Sequence, residues 1–139
     1  MATTTTGRWS LALLLLRWVP GLVFLSEGIQ KFLFADLGTG RFTKLGFSNP
    51  AFWAAVTGGF EILCGSLLIV GLLTRLATIP LLVIMSVAFI TTKWPELMNK
   101  GFWFFAHEDR TDFAMTLTLV AVLLVGAGAW SLDGKRRRA

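Results

Sequence analysis

Residues 51–73 read AFWAAVTGGFEILCGSLLIVGLL, an apolar run in which Glu61 is the only charged side chain. A helix needs roughly 20 apolar residues to cross a hydrocarbon core about 30 Å thick, and this run is long enough. It lacks the two-residue alternation of strands in a membrane β-barrel. The run therefore predicts a transmembrane helix that carries a carboxylate into the bilayer.

Three more apolar stretches accompany this one, at Trp9–Phe34, Leu76–Thr92 and Phe113–Trp130. The chain is 55% hydrophobic and 15% charged, whereas soluble domains are about 45–50% apolar and about 25% charged. A segment inside lipid must satisfy its backbone hydrogen bonds internally, which favours helices here. We therefore expect an all-α integral membrane protein, a bundle of four transmembrane helices in the lipid bilayer.

Three regions follow from this pattern. Residues 1–8 include four consecutive threonines and are interpreted as a disordered N-terminal lead. Residues 9–133 form the membrane domain, and residues 134–139 form a basic tail. Dense basic residues next to a membrane helix usually mark the cytoplasmic side. We therefore expect a multi-pass membrane protein with both termini in the cytoplasm.

The net charge of +5 raises the question of nucleic-acid binding. The basic residues are scattered or terminal, so we expect no nucleic-acid partner. Cys64 is the single cysteine and His107 the single histidine, so one chain cannot form an internal disulfide, a CxxC pair or a bis-histidine haem site. We expect no metal site and no covalently bound cofactor. Redox chemistry would need a partner protein or a reversibly bound cofactor.

Charged residues inside a membrane span are costly and are candidates for function. From a rise of about 1.5 Å per residue, Arg17 lies roughly 12 Å beyond Trp9 and Glu61 roughly 18 Å beyond Leu73. If Trp9 and Leu73 share one interface, an arginine is long enough to bridge the difference. We therefore predict a structural ion pair between Arg17 and Glu61. Such a pair could equally lock the bundle or hold a ligand.

A second polar group is expected near the opposite ends of the spans. Glu27 and Lys31 are one helical turn apart at the end of the first span, and Asp112 lies at the start of the fourth. With Arg17 and Glu61, these residues form the predicted ligand site. Ordinary interfacial charge is the alternative interpretation for each of them.

Several motifs resemble the DoxX family of small bacterial membrane proteins. The first lies in the first span: Arg17-x3-Gly21-x2-Phe24-Leu25-x2-Gly28-x2-Lys31-Phe32. The others are Glu61-x3-Gly65, the turn Gly71-Leu72-Leu73-Thr74-Arg75-Leu76-Ala77 and the closing Trp130-Ser131-Leu132-Asp133. Their order and spacing, more than any one motif, are similar to the family.

The resemblance implies a four-helix fold in the inner (plasma) membrane of a bacterial cell. It also implies a link to quinone-coupled oxidoreductases, including thiosulfate:quinone and thiol or oxidative-stress systems. It also implies that Arg17, Lys31 and Glu61 belong to a binding site. The family often has an acid early in the fourth span, and Asp112, Glu108 or Asp109 could occupy that position.

Three functions remain open from the sequence. The first is the small membrane subunit of a quinone-linked oxidoreductase, with quinone as its ligand and electrons supplied by a partner subunit. The second, nearly equal, is a non-catalytic anchor or accessory subunit of a larger membrane complex. The third and least favoured is a small transporter or channel formed by a homo-oligomer. Whether the chain is an enzyme at all is left undecided.

Overall fold

The computed structural model describes residues 2–139, and their side chains from residue 7 onward. In that part of the chain all the regular structure is helical. The elements in chain order are α1 (Ala2–Leu33), α2 (Thr39–Lys44), α3 (Pro50–Val70), α4 (Thr74–Ala88), a π-helical turn (Phe89–Lys93), α5 (Trp94–Lys100), α6 (Phe102–Glu108), α7 (Arg110–Val125) and α8 (Leu132–Arg138).

Four helices form the bundle. α1 packs against α3 and α7, and α4 packs against the same two helices, so that the four close into a ring. Leu68, Leu81, Leu119 and Val122 are the most deeply buried apolar residues at the centre of the ring. The predicted all-α membrane bundle is confirmed.

Glycines set the distance and register between α1 and α3. A Cβ atom added at Gly28 would lie 2.7 Å from the carbonyl oxygen of Gly58, and one added at Gly65 would lie 2.8 Å from that of Gly21. These approaches are closer than any side chain allows, so small residues let the two backbones meet. The antiparallel register therefore places Gly21 opposite Gly65 and Gly28 opposite Gly58.

Three helical segments are long and apolar enough to cross a membrane, at residues 7–33, 50–70 and 74–100. The fourth bundle helix, α7, has 16 residues and is therefore about 24 Å long. It begins at Arg110, earlier than the expected span Phe113–Trp130, and ends before Gly126, whose φ of 87° leaves the helical region. The fourth span is therefore shorter than we expected.

The sequence also misplaced the start of the first helix. α1 begins at Ala2, so the expected disordered lead is helical from that residue; Met1 lies outside the described residues. Once a helix is nucleated, each further residue adds a hydrogen bond, which extends α1 through weak helix formers. The basic tail is also helical, because Ser131 caps α8 by accepting a hydrogen bond from the Gly134 amide.

The third span continues past Thr92, where the expected apolar stretch ends. α4 is followed without a break by the π-helical turn and α5, and Pro95 lies in the first turn of α5. Proline has no amide hydrogen and its ring clashes with a carbonyl one turn earlier. The wider π-helical turn accommodates both effects, and such turns often occur at functional sites.

Candidate functional site

A cavity of about 780 Å³ lies inside the bundle, at the end where α2 packs. Its walls are mainly apolar side chains of α1, α3 and α4, and residues of α2, the π-helical turn and α7 complete it. Four of the five residues predicted for the ligand site line this cavity: Glu27, Lys31, Glu61 and Asp112. The fifth, Arg17, does not.

Lys31 and Glu61 form a buried ion pair in the cavity wall. The Nζ atom of Lys31 donates a hydrogen bond to Oε2 of Glu61 over 2.6 Å, and the side chains are 8% and 4% exposed. Side chains on a helix tilt toward its N-terminus. Because α1 and α3 are antiparallel, Lys31 tilts back toward Glu61 and Glu61 tilts toward Lys31, which lets two residues from different levels meet.

The predicted ion pair between Arg17 and Glu61 is wrong. Arg17 is only 1% exposed, but its guanidinium donates hydrogen bonds to the carbonyl oxygens of Ala127, Trp130 (3.0 Å) and Ile69 (3.5 Å). These carbonyls belong to the end of α3 and to the segment that follows α7. Arg17 therefore joins three parts of the chain at the end of the bundle that holds α8.

The helix register explains the error. With Gly21 opposite Gly65, Arg17 lies opposite Ile69, which is two helical turns, or about 12 Å, from Glu61. The sequence estimate had placed Trp9 level with Leu73, but the register places Leu73 opposite Leu13. The tilts of Arg17 and Glu61 also carry their side chains apart.

Asp133 stabilises the same end of the bundle. Its two carboxylate oxygens accept hydrogen bonds from the backbone amides of Leu73 and Thr74, each over 2.9 Å, at the start of α4. Burial alone would raise the pKa of Asp133, but these amide hydrogen bonds hold it below its ordinary value. The two motifs at residues 71–77 and 130–133 are thus one structural unit.

Asp112 lies at the cavity margin in an ion pair with Lys93 of the π-helical turn, with Nζ and Oδ2 3.2 Å apart. Nearby Asp109 is 7% exposed, and its Oδ1 atom has no hydrogen-bond partner among the described residues. Burial, followed by the charge of Asp112, raises the pKa of Asp109. Of the three candidate acids around the start of α7, Glu108 and Asp112 line the cavity.

The cavity residues that were not predicted include Arg41, Phe42 and Trp53. α2 brings Arg41 and Phe42 to the cavity, and the Phe42 ring packs edge-on against Phe47, whose centroid is 5.3 Å away. Phe47 in turn packs against Trp53. The aromatic residues on both sides of the turn at Asn49-Pro50 could have indicated that the loop folds back on α3.

The hydroxyl of Thr57, which also lines the cavity, donates to the carbonyl of Trp53 within α3. His107 is exposed and contacts Arg110. Within residues 7–139, no three histidine, cysteine, aspartate or glutamate side chains are grouped closely enough to hold a metal ion.

Comparisons with known proteins agree with this architecture. The DoxX family model matches residues 12–94. The chain is 48% identical over 125 residues to the uncharacterized membrane protein Rv3486 of Mycobacterium tuberculosis, covering 85% of this chain and 77% of that protein. It is 30% identical over 122 residues to "Putative oxidoreductase CatD" of Bacillus subtilis, covering 86% and 83%. No solved structure matches the chain.

Proposed function

Because the chain belongs to the DoxX family of membrane proteins, we propose that its cavity binds a quinone and that it is the small membrane subunit of a quinone-linked oxidoreductase. The observation that carries the proposal is the buried Lys31–Glu61 pair in the wall of a largely apolar cavity. Thiosulfate:quinone and thiol or oxidative-stress systems are the expected settings. The similarity to a protein named as an oxidoreductase adds support.

The cavity has the features that a quinone requires. Ligand pockets usually measure about 300–1,000 Å³ and combine apolar walls with a few polar groups, and this one measures about 780 Å³. A quinone is a flat apolar ring with two carbonyl acceptors. Phe24, Phe42 and Trp53 provide apolar wall, and Lys31 and Arg41 provide cationic donors.

Lys31 and Arg41 keep N–H groups that can donate hydrogen bonds to a ligand. An ammonium group has three hydrogens, and Glu61 accepts one of those of Lys31. The Arg41 guanidinium carries five N–H donors and lines the same cavity. Lys31 and Arg41 would thus orient the two carbonyl oxygens of a quinone.

A bound quinone would supply two-electron, two-proton redox chemistry, with electrons delivered by a partner subunit. Glu27, Glu61 and Asp112 also line the cavity, and carboxylates within hydrogen-bond reach can hold and transfer protons. Glu61 would hold a proton beside Lys31, and Asp112 beside Lys93 at the margin.

The test is binding of a short-chain quinone to the purified protein in lipid nanodiscs, read by quenching of tryptophan fluorescence. Because Trp53 lines the cavity, Trp53→Phe should remove most of the quenching if the ligand occupies that space. A hydrogen bond from a charged donor contributes about 1.5–3 kcal/mol, so Arg41→Gln should weaken binding about 10-fold or more.

Lys44→Gln is the matched control, because Lys44 is an exposed cation on α2 outside the cavity lining. Equal weakening by Arg41→Gln and Lys44→Gln would contradict the proposed site. If the wild-type protein shows no saturable quinone binding, the anchor or accessory role is favoured. In that role the bundle only attaches a larger complex to the membrane.

The proposal also places both termini in the cytoplasm of a bacterial cell. The N-terminal part of α1, the α3–α4 turn and α8 share one end of the bundle, and Arg75 and the tail arginines lie there. Cys64 is buried, so a second cysteine reports topology cleanly. An impermeant maleimide should label Lys100→Cys in intact spheroplasts and Ala139→Cys only after lysis; the reverse pattern would invert the orientation.

A further inference from the structure

A second cavity, of about 720 Å³, lies at the opposite end of the bundle from the Lys31–Glu61 pair. It is formed by the start of α4, the segment that follows α7, and α8. Four arginines line it: Arg75, Arg136, Arg137 and Arg138. The proposed quinone site uses none of these residues.

We propose that this basic cavity binds the phosphate headgroup of an anionic phospholipid. Basic pockets beside membrane helices on the cytoplasmic side suit such headgroups. Arginine is also suited to phosphate, because its planar guanidinium presents paired donors to two phosphate oxygens.

The cavity is preorganised on one side. Arg75 is held in place because its Nη2 atom donates to the carbonyl oxygen of Leu124 over 3.0 Å. The guanidinium lies against Gly126, where a Cβ atom would be 3.4 Å from Nε. An arginine fixed by one hydrogen bond keeps further donors for a phosphate.

The charge balance of the cavity favours an anion. Asp133 is the one acid in the lining, and both of its carboxylate oxygens already accept the amide hydrogens of Leu73 and Thr74. Among the described residues, none of the four arginines forms an ion pair with a carboxylate. The cavity is therefore strongly positive.

The surroundings favour a lipid over a free anion. Leu76 and Val125 line the cavity and are 61% and 54% exposed, and Leu124 beside them is 71% exposed. These side chains belong to α4 and α7, which run from the cavity along the apolar bundle surface. A headgroup at the arginines would thus place its acyl chains against an apolar surface.

The test compares retention of phosphatidylglycerol with that of phosphatidylcholine on the full-length protein, released from mixed-lipid nanodiscs and measured by native mass spectrometry. We expect selective retention of phosphatidylglycerol. Arg75→Gln should reduce that retention about 10-fold, since one lost charged hydrogen bond corresponds to roughly that factor. Arg137→Gln, which alters an exposed residue of the same cavity, is a second variant in case Arg75→Gln fails to fold.

Lys135→Gln is the matched control, because Lys135 lies in the same tail but outside the cavity lining. Phosphatidylglycerol retention by Lys135→Gln should change less than about twofold, because an exposed charge outside the site contributes little. A general surface attraction would instead be weakened equally by the loss of any tail cation. Equal losses in Lys135→Gln and the arginine variants, or no preference for phosphatidylglycerol, would overturn the proposal. Displacement of the lipid by inorganic phosphate would also overturn it, because the site would then be a simple anion site.

Discussion

The two ends of the bundle each contain a buried cation on α1, but the two cations have different partners. Lys31 faces a carboxylate and a cavity, whereas Arg17 faces three carbonyl oxygens, one from α3 and two from the segment that follows α7. An ion pair in a cavity wall can exchange a partner for a ligand. A guanidinium surrounded by carbonyls instead fixes the backbone, so Lys31 is suited to ligand binding and Arg17 to holding the bundle together.

The largest effect is expected at the Lys31–Glu61 pair. Lys31→Met leaves the Glu61 carboxylate buried without its cation, and losing one partner of a buried pair costs about 3–5 kcal/mol. Unfolding in nanodiscs measures this loss. Adding Glu61→Leu to Lys31→Met should restore most of the stability, because both charges are then absent. A double variant as unstable as Lys31→Met alone would contradict the pairing.

Arg17→Met should cost about 2–3 kcal/mol, because removing its charged donor leaves buried carbonyl oxygens unsatisfied. Hydrogen exchange should increase at residues 126–133, while quinone binding at the other end should be unchanged. The combination of Arg17→Met with Glu61→Gln should be additive to within about 0.5 kcal/mol, as for residues out of contact. A larger coupling energy would show that Arg17 and Glu61 are in contact, as the sequence predicted.

Gly28→Ala tests the register that separates Arg17 from Glu61. Its added methyl would meet the Gly58 carbonyl at 2.7 Å, and overpacking of this kind costs about 1–3 kcal/mol. Gly59→Ala is the matched control, since a Cβ atom there meets nothing within 4 Å. Gly59→Ala should leave stability unchanged or slightly higher, and thermal unfolding of the two variants gives the contrast. Equal effects would mean that α1 and α3 do not meet as described.

The smallest effects concern two aspartates with opposite pH dependence. The folded-state pKa of Asp133 is lowered, so its stabilisation is present above its unfolded pKa and is lost as the pH falls through the folded pKa. The folded-state pKa of Asp109 is raised. The stabilisation from its protonated carboxyl is therefore present below the unfolded pKa and is lost as the pH rises through the folded pKa.

Asp133→Asn should therefore cost about 1 kcal/mol at neutral pH, the typical value of a helix cap, and should flatten the acid limb of the stability curve. Asp109→Asn should raise stability at neutral pH by less than about 1 kcal/mol. Unfolding midpoints between pH 3 and pH 8, a range set by the ordinary carboxyl pKa near 4, distinguish the two. Parallel pH curves for the two variants would contradict the assigned environments.

The amino-acid sequence by itself determined that the chain is a helical membrane protein. The apolar runs, the charged residues inside them or near their ends, and the motifs at residues 71–77 and 130–133 depend only on local composition and spacing. They therefore predicted the bundle, its DoxX resemblance and four cavity residues, Glu27, Lys31, Glu61 and Asp112.

Only the tertiary structure decided which charges meet. The partner of Glu61 depends on the glycine-set register of α1 against α3 and on the tilt of side chains toward each helix N-terminus. A shift of one helical turn, about 5.4 Å, exceeds the length of a hydrogen bond. Sequence spacing along separate helices does not contain that information, because register arises from contacts between helices.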